Sequence, residues 1–201
     1  MTNHYYSHSP QSESNPTHWE FTLRGKKFRF KTDSGVFSKK EVDFGSRLLI
    51  DSFTLAQESE GDILDVGCGY GPIGLSLAYA YPDKNVEMVD VNARAIQLAK
   101  DNAEANGIPN VKIYESNILS AVENKSFSAV LTNPPIRAGK QIVHQIFADS
   151  YEHLLPGGEL WVVIQKKQGA PSAMDKMEEI FGNVEVAAKK KGYFILVAKK
   201  N

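Results

Sequence analysis

The chain has 201 residues, 42% of them hydrophobic and 23% charged, a mix that supports one sizeable folded domain and excludes wholesale disorder. No apolar run approaches the roughly 20 residues that cross a bilayer, and a single cysteine, Cys68, excludes an internal disulfide or a multi-cysteine zinc site. The net charge of −1 hides two basic stretches. Arg24, Lys26, Lys27, Arg29, Lys31, Lys39 and Lys40 accompany one acid, Asp33, while Lys189, Lys190, Lys191, Lys199 and Lys200 accompany none. Basic flanks on an acidic body suit contact with a polyanion or a lysine-guarded sheet edge.

Residues 1–17 read as a flexible polar leader, with Met1, Tyr5 and Tyr6 its only large apolar groups. It lacks the apolar core of a signal peptide, so a cytoplasmic location is expected. Trp19–Lys31 alternates around Gly25 and predicts a β-hairpin turning at Arg24-Gly25-Lys26. An amphipathic helix is predicted from about Lys40 to Gln57, with Val42, Leu48, Leu49, Phe53 and Ala56 on one face. Residues 18–58 thus form an N-terminal hairpin and helix, and residues 59–201 the core of the same domain.

From Asp62 onward strands and helices alternate. Short apolar runs at Ile63–Val66, Val86–Val89, Val111–Tyr114, Phe127–Leu131 and Leu160–Ile164 predict parallel strands covered on both faces. Helices are predicted at about Pro72–Tyr81, Ala93–Asn106, Lys140–Leu155 and Pro171–Phe181. Two further strands, Val184–Ala188 and Tyr193–Ala198, are joined by a link too short for anything but an antiparallel pair. The expected fold is a doubly wound, mostly parallel α/β sheet of seven strands closed by an antiparallel C-terminal hairpin.

Two stretches carry chemistry. Ile63–Gly74 (ILDVGCGYGPIG) runs a strand into a glycine turn and then a helix, so Gly67, Gly69 and Gly71 let backbone approach a ligand closely. Asp90, 21 residues past Gly69 at the end of the next strand, is placed to accept hydrogen bonds from ribose hydroxyls. This much fits a nicotinamide dinucleotide or another adenosine-containing cofactor. The second stretch is Asn133-Pro134-Pro135, at the end of the fourth parallel strand and hence beside the same crevice. The Asn133 side-chain carbonyl and the main-chain carbonyl of Pro134, in a backbone that Pro135 stiffens, offer two acceptors for an exocyclic amino group. Arg137 and Lys140, just beyond, are placed for phosphate, and Lys26, Lys27 and Arg29 for a polyanion. The five histidines show no metal-ligand spacing, and no metal site is expected.

DVGCGYG (Asp65–Gly71), Asp90, NPP (Asn133–Pro135) and LLPGG (Leu154–Gly158) together resemble the class I S-adenosylmethionine-dependent methyltransferases. NPP marks the branch that methylates exocyclic amino groups. Lys31–Ser38, Asp43–Ser46 and NPPIRAGK (Asn133–Lys140) are similar to the RsmC-like ribosomal RNA guanine-N2 methyltransferases. The resemblance implies a Rossmann-like methyltransferase fold, S-adenosyl-L-methionine as cofactor, and ribosomal RNA or a pre-ribosomal particle as partner, with no membrane or metal. It further implies that Asp65 helps hold the methionine end of the cofactor and that Asn117, after the third strand, lies by the adenine. Residue 136 is Ile where that branch usually carries a base-stacking aromatic; Phe37 is a candidate replacement. Other amino acceptors (adenine, a protein glutamine, a small molecule) and a non-catalytic RNA-binding assembly factor are the alternatives.

Overall fold

In the computed structural model, which describes residues 12–36, 40–56 and 59–201, a two-stranded hairpin precedes the wound sheet. Strands β1 (Thr17–Leu23) and β2 (Lys26–Thr32) pair antiparallel. They are joined by Arg24 (φ 48°) and Gly25 (φ 78°), a two-residue loop with both residues left-handed, whose twist matches the strands it connects. From Ser12 onward the leader is held: Ser14 Oγ and Asn15 N–H donate to the Asp33 carboxylate at 2.8 and 2.6 Å.

Helix α1 spans Phe44–Ser52, half the length expected. The Asp43 carboxylate caps its start, accepting from Ser46 N–H at 3.0 Å. At its other end Phe53 is extended, and the Arg24 guanidinium covers the carbonyls of Ile50 and Phe53. Val42 and Phe53 are buried as expected but flank the helix, and Ala56 is exposed.

The sheet contains β3 (Asp62–Val66), β4 (Val86–Asp90), β5 (Val111–Glu115), β6 (Phe127–Thr132), β7 (Leu154–Gln165), β8 (Glu185–Lys190) and β9 (Tyr193–Lys199), in the order β5-β4-β3-β6-β7-β9-β8. The first five run parallel, and β9 is antiparallel to both its neighbours. Strand β7 begins six residues earlier than predicted and takes in Pro156-Gly157-Gly158. The reason lies at the far end of the sequence: Gly157 N–H donates to Lys200 O and Lys200 N–H to Gly158 O, at 2.6 and 2.9 Å. The helix does stop before this segment, at His153, and pairing with a distant segment turns the stop itself into strand.

Helices α2 (Pro72–Ala80) and α3 (Ala93–Ala105), with α1 and the first hairpin, bury one face of the sheet around Leu49, Phe28, Ile63, Leu75 and Trp161. Helices α4 (Lys140–His153) and α5 (Ala170–Phe181) bury the other around Leu64, Val130, Phe147 and Met177. Fully parallel central strands force every βα turn onto one edge, the carboxyl edge, where ligands of such sheets bind. Among the described residues no helix is long and apolar enough to cross a membrane.

Gly61 locks β3 against β6. A methyl group there would lie 2.4 Å from Ser126 O and 2.6 Å from Ser128 N, both backbone atoms that cannot swing aside. Gly61→Ala should therefore destabilise the protein by about 1–3 kcal/mol. A urea-unfolding midpoint equal to wild type would show that the two strands can part at little cost.

Candidate active site

The glycine turn after β3 is tied down by two carboxylates. Gly67 and Cys68 both donate backbone N–H to Val89 O, at 2.8 and 2.9 Å, which presses the turn against the end of β4. Asp90 then accepts from Gly69 N–H through one oxygen and from Asn92 N–H through the other, each at 2.9 Å. Gly67 and Gly69 sit at φ +74° and +57°, and a Cβ at either would meet nothing within 4 Å. The backbone is thus bare toward the crevice. Asp65 is fully buried; Oδ2 accepts from Gly74 N–H in the first turn of α2 at 2.9 Å, and Oδ1 has no partner. Burial raises the Asp65 pKa to about 7, against the Gly74 bond and with help from the Asp90 charge. Burial also raises Asp90, although the N–H groups of Asn92 and Gly69 oppose it.

Thr132 closes the gap to the second motif. Its hydroxyl donates to Val66 O at 2.9 Å, and the two residues are partners in the β3–β6 register. Asn133-Pro134-Pro135 therefore leaves the sheet beside the glycine turn. Pro135 (φ −75°, ψ 80°) centres an inverse γ-turn in which Ile136 N–H donates to Pro134 O at 2.9 Å. One lone pair of that carbonyl is engaged and one remains.

The Asn133 amide is fixed by α1. Its Nδ2 donates to Asp43 Oδ2 at 3.2 Å and to Ser46 Oγ at 3.0 Å. A carboxylate only accepts, so the nitrogen must face Asp43, and both amide protons are used. The Oδ1 atom is what the side chain has left to offer. Asp43 and Ser46 thus shape the candidate site, and reading motif by motif missed them. The available signal was the DFGS segment within the resemblance, which shows no role for either side chain until the fold brings them 90 and 87 residues back to Asn133.

The remaining candidates separate. Asn117 is exposed just past β5, beside Asp90, whose carbonyl accepts from Ser116 N–H. Ile136 packs against the α4–α5 cluster, where it lines a shallow cleft with Lys140, Val143 and His144. Arg137 and Lys140 are exposed on the carboxyl edge. Lys26, Lys27 and Arg29 lie elsewhere: Lys26 stands over the rings of Phe28 and Tyr79, Lys27 pairs with Glu20, and Arg29 donates to Ala105 O. Tyr79 and Ala105 are at the far ends of α2 and α3, so these three cations are turned away from the crevice. The sign of the charge was readable in the sequence, but not which end of the hairpin faces the site. Phe37 lies outside the described residues. Cys68 is buried, and burial pushes its thiol well up, as suits a filler.

The crevice suits a cationic, adenosine-containing cofactor. Two carboxylates approach it with no cation paired to either among the described residues, one buried oxygen is unmatched, and the glycine backbone beside them is bare. A loop from β2 closes one side: Asn92 Nδ2 donates to Gly35 O at 3.2 Å, and Arg94 to Ser34 O at 2.6 Å. Among the described residues no group of three or more potential ligands could hold a metal ion.

The Methyltransferase small domain family matches residues 27–197. The chain belongs to that family. It is 63% identical over 201 residues to the uncharacterized protein YbxB of Bacillus subtilis, each covered in full. It is 33% identical over 181 residues to ribosomal RNA small subunit methyltransferase C of Vibrio cholerae, covering 88% of this chain and 51% of that protein. Among solved structures, the T. thermophilus 16S rRNA N2 methyltransferase RsmC, in complex with AdoMet and guanosine, superposes with a TM-score of 0.81 at 25% identity. That match covers 92% of this chain and 51% of the other. The chain therefore spans about half the length of the RsmC proteins it matches, while this small-domain family member holds the glycine turn, Asp90 and NPP within that half.

Asp65 gives the fold a pH signature. A carboxyl raised in the native state above its usual 3.8 supplies stability that is whole below that value and is lost as pH climbs through about 7. Asp65→Asn, which keeps an acceptor for Gly74 N–H, should flatten the fall in thermal midpoint expected of wild type between pH 4 and 7. Parallel curves for the two proteins would mean that Asp65 is ionised at little cost.

Proposed function

We propose that the protein is an S-adenosylmethionine-dependent methyltransferase that transfers a methyl group to an exocyclic amino nitrogen, guanine N2 of small-subunit ribosomal RNA. The observation that carries this reading is the Asn133 amide, held by Asp43 and Ser46 so that its oxygen is the acceptor beside the glycine turn. The RsmC relatives supply the substrate class, since ribosomal RNA is what their names state they methylate.

Bound S-adenosylmethionine supplies an electrophilic methyl group on a positively charged sulfur. The chain's own residues do the rest. Asp90 would accept from ribose hydroxyls with the lone pairs that Gly69 and Asn92 leave, and Asp65 Oδ1 would offer negative charge to the methionine ammonium. Asn117, just past β5, would meet the adenine edge. Asn133 Oδ1 and the remaining lone pair of Pro134 O each take one N–H of the target amine, turning its lone pair out of conjugation with the ring and toward the methyl group. As positive charge develops on that nitrogen both hydrogen bonds strengthen, which lowers the barrier. The methylated cation is acidic enough to lose its proton to water, so no strong base is required. A paired base cannot reach the motif, so the target must be unpaired or flipped out.

Ile136 favours a second reading of the acceptor. With an aliphatic residue packed into the α4 cluster in place of a ring, another amino group, such as adenine N6 or a protein glutamine, is the alternative.

Asn133→Ala should lower single-turnover methyl transfer to small-subunit RNA by about 10²–10³, with S-adenosylmethionine affinity by calorimetry unchanged. A wild-type rate would overturn the amino-group mechanism. Mass mapping of the methylated nucleotide tests the acceptor separately, and a mark away from guanine N2 would favour the second reading.

A further inference from the structure

The second basic stretch, unlike the first, gathers at the carboxyl edge. Gln165, the last residue of β7, pairs with Tyr193, the first of β9, so the turn Lys191-Gly192 stands beside the β7 terminus. Lys166 N–H donates to Gly192 O at 2.9 Å, which brings Lys166 and Lys167 to the same turn as Lys190 and Lys191. None of these four lysines forms an ion pair among the described residues.

The cluster continues onto α1. Lys191 Nζ lies 4.9 Å from the centroid of Phe44, whose ring packs 5.4 Å from that of Tyr193. The Arg47 guanidinium is flanked by two rings, 5.5 Å from the centroids of Phe44 and Phe21. Arg47 has no carboxylate partner among the described residues, and its Nε is buried with no acceptor. Rings and unpaired cations therefore alternate along a surface whose helix also holds Asn133 through Asp43 and Ser46.

A lysine-guarded sheet edge does not account for this. Guarding requires charge along the exposed strand, yet β8 carries its lysines at one end and exposes Val186 (41%) near the other. We propose that α1 and the β8–β9 turn form the track for the single-stranded RNA that flanks the target nucleotide. Phe44 offers a base the face that Lys191 covers in the free protein, and Arg47, Lys190 and the displaced Lys191 contact phosphates; stacking rings interleaved with cations are the means by which single strands are bound without sequence preference. The inference rests on the RNA reading above and adds which surface carries the strand.

The test is binding of a fluorescein-labelled single-stranded oligoribonucleotide of about ten nucleotides across a salt series. Lys190→Gln with Lys191→Asn should reduce the slope of log affinity against log salt by about 1.4, near 0.7 for each phosphate of a single strand that is no longer neutralised. Lys26→Gln with Lys27→Gln should leave it unchanged. Phe44→Leu should weaken binding about tenfold at fixed salt without changing the slope. S-adenosylmethionine affinity and thermal midpoint report folding in every variant. An unaltered slope in the Lys190/Lys191 variant, or a reduced slope in the Lys26/Lys27 variant, overturns the track. If the wild-type protein methylates RNA while the slope is unaltered, the track alone fails; if it binds the oligonucleotide with the expected slopes yet transfers no methyl to any RNA, the functional reading fails and the surface stands.

Discussion

Asp65 stands fully buried, one oxygen on the Gly74 N–H and the other unmatched, and the turns that frame the crevice hang from it and from Asp90. Asp65 reaches into the first turn of α2, and Asp90 joins the glycine turn to the start of α3. Each turn is positioned by a carboxylate accepting backbone N–H, a bond that strengthens as the acid ionises. Ionisation without a nearby cation is costly in a buried setting, so the arrangement works against stability. Local rules of good packing are broken in folded proteins chiefly at functional sites, and here the breach sits where the bare glycine backbone opens.

Helix α1 is the second organiser, and its nine residues do several jobs because of helical spacing. Asp43 and Ser46, three apart, face Asn133; Phe44 faces the β8–β9 turn, and Arg47, three residues on, lies between the rings of Phe44 and of Phe21 in the first hairpin. The Arg24 guanidinium anchors the other end by covering the last carbonyls. Tyr193 presses on the helix so closely that a methyl group at Gly45 would lie 2.9 Å from its ring. The position of the Asn133 amide and the position of the cationic surface are thereby set by one rigid segment. A shift of α1 would alter both together.

Most of the architecture was legible because it follows from short-range signals. Unbroken apolar strands, a glycine turn entering a helix at Pro72, and Asn106-Gly107 closing another each report their own neighbourhood. The misreadings share a different cause. The end of α4 and the start of β7 depend on pairing with Lys200, and the ends of α1 on a cap at Asp43 and a guanidinium from the first hairpin. The roles of Asp43 and Ser46 depend on a contact across about 90 residues. For Lys26, Lys27 and Arg29 the charge was plain, but their partners Glu20, Tyr79 and Ala105 came from three different elements. Residue type was readable throughout; direction was readable only where a periodic pattern supplied it.

The proline after Asn133 has a chemical consequence of its own. Asparagine ages by deamidation, in which the main-chain nitrogen of the next residue attacks the side-chain carbonyl and closes a five-membered ring. That nitrogen must give up a proton, and Pro134 has none to give. The amide facing Asp43 and Ser46 is therefore shielded by covalent structure from conversion to a carboxylate, which would meet Asp43 as a like charge at a position now 3.2 Å away. Asn106, followed by Gly107, enjoys no such shielding, but its side chain is gripped at both ends by the backbone of Arg29, at 2.8 and 2.7 Å. One asparagine is made durable by its neighbour in sequence, the other by its neighbour in space.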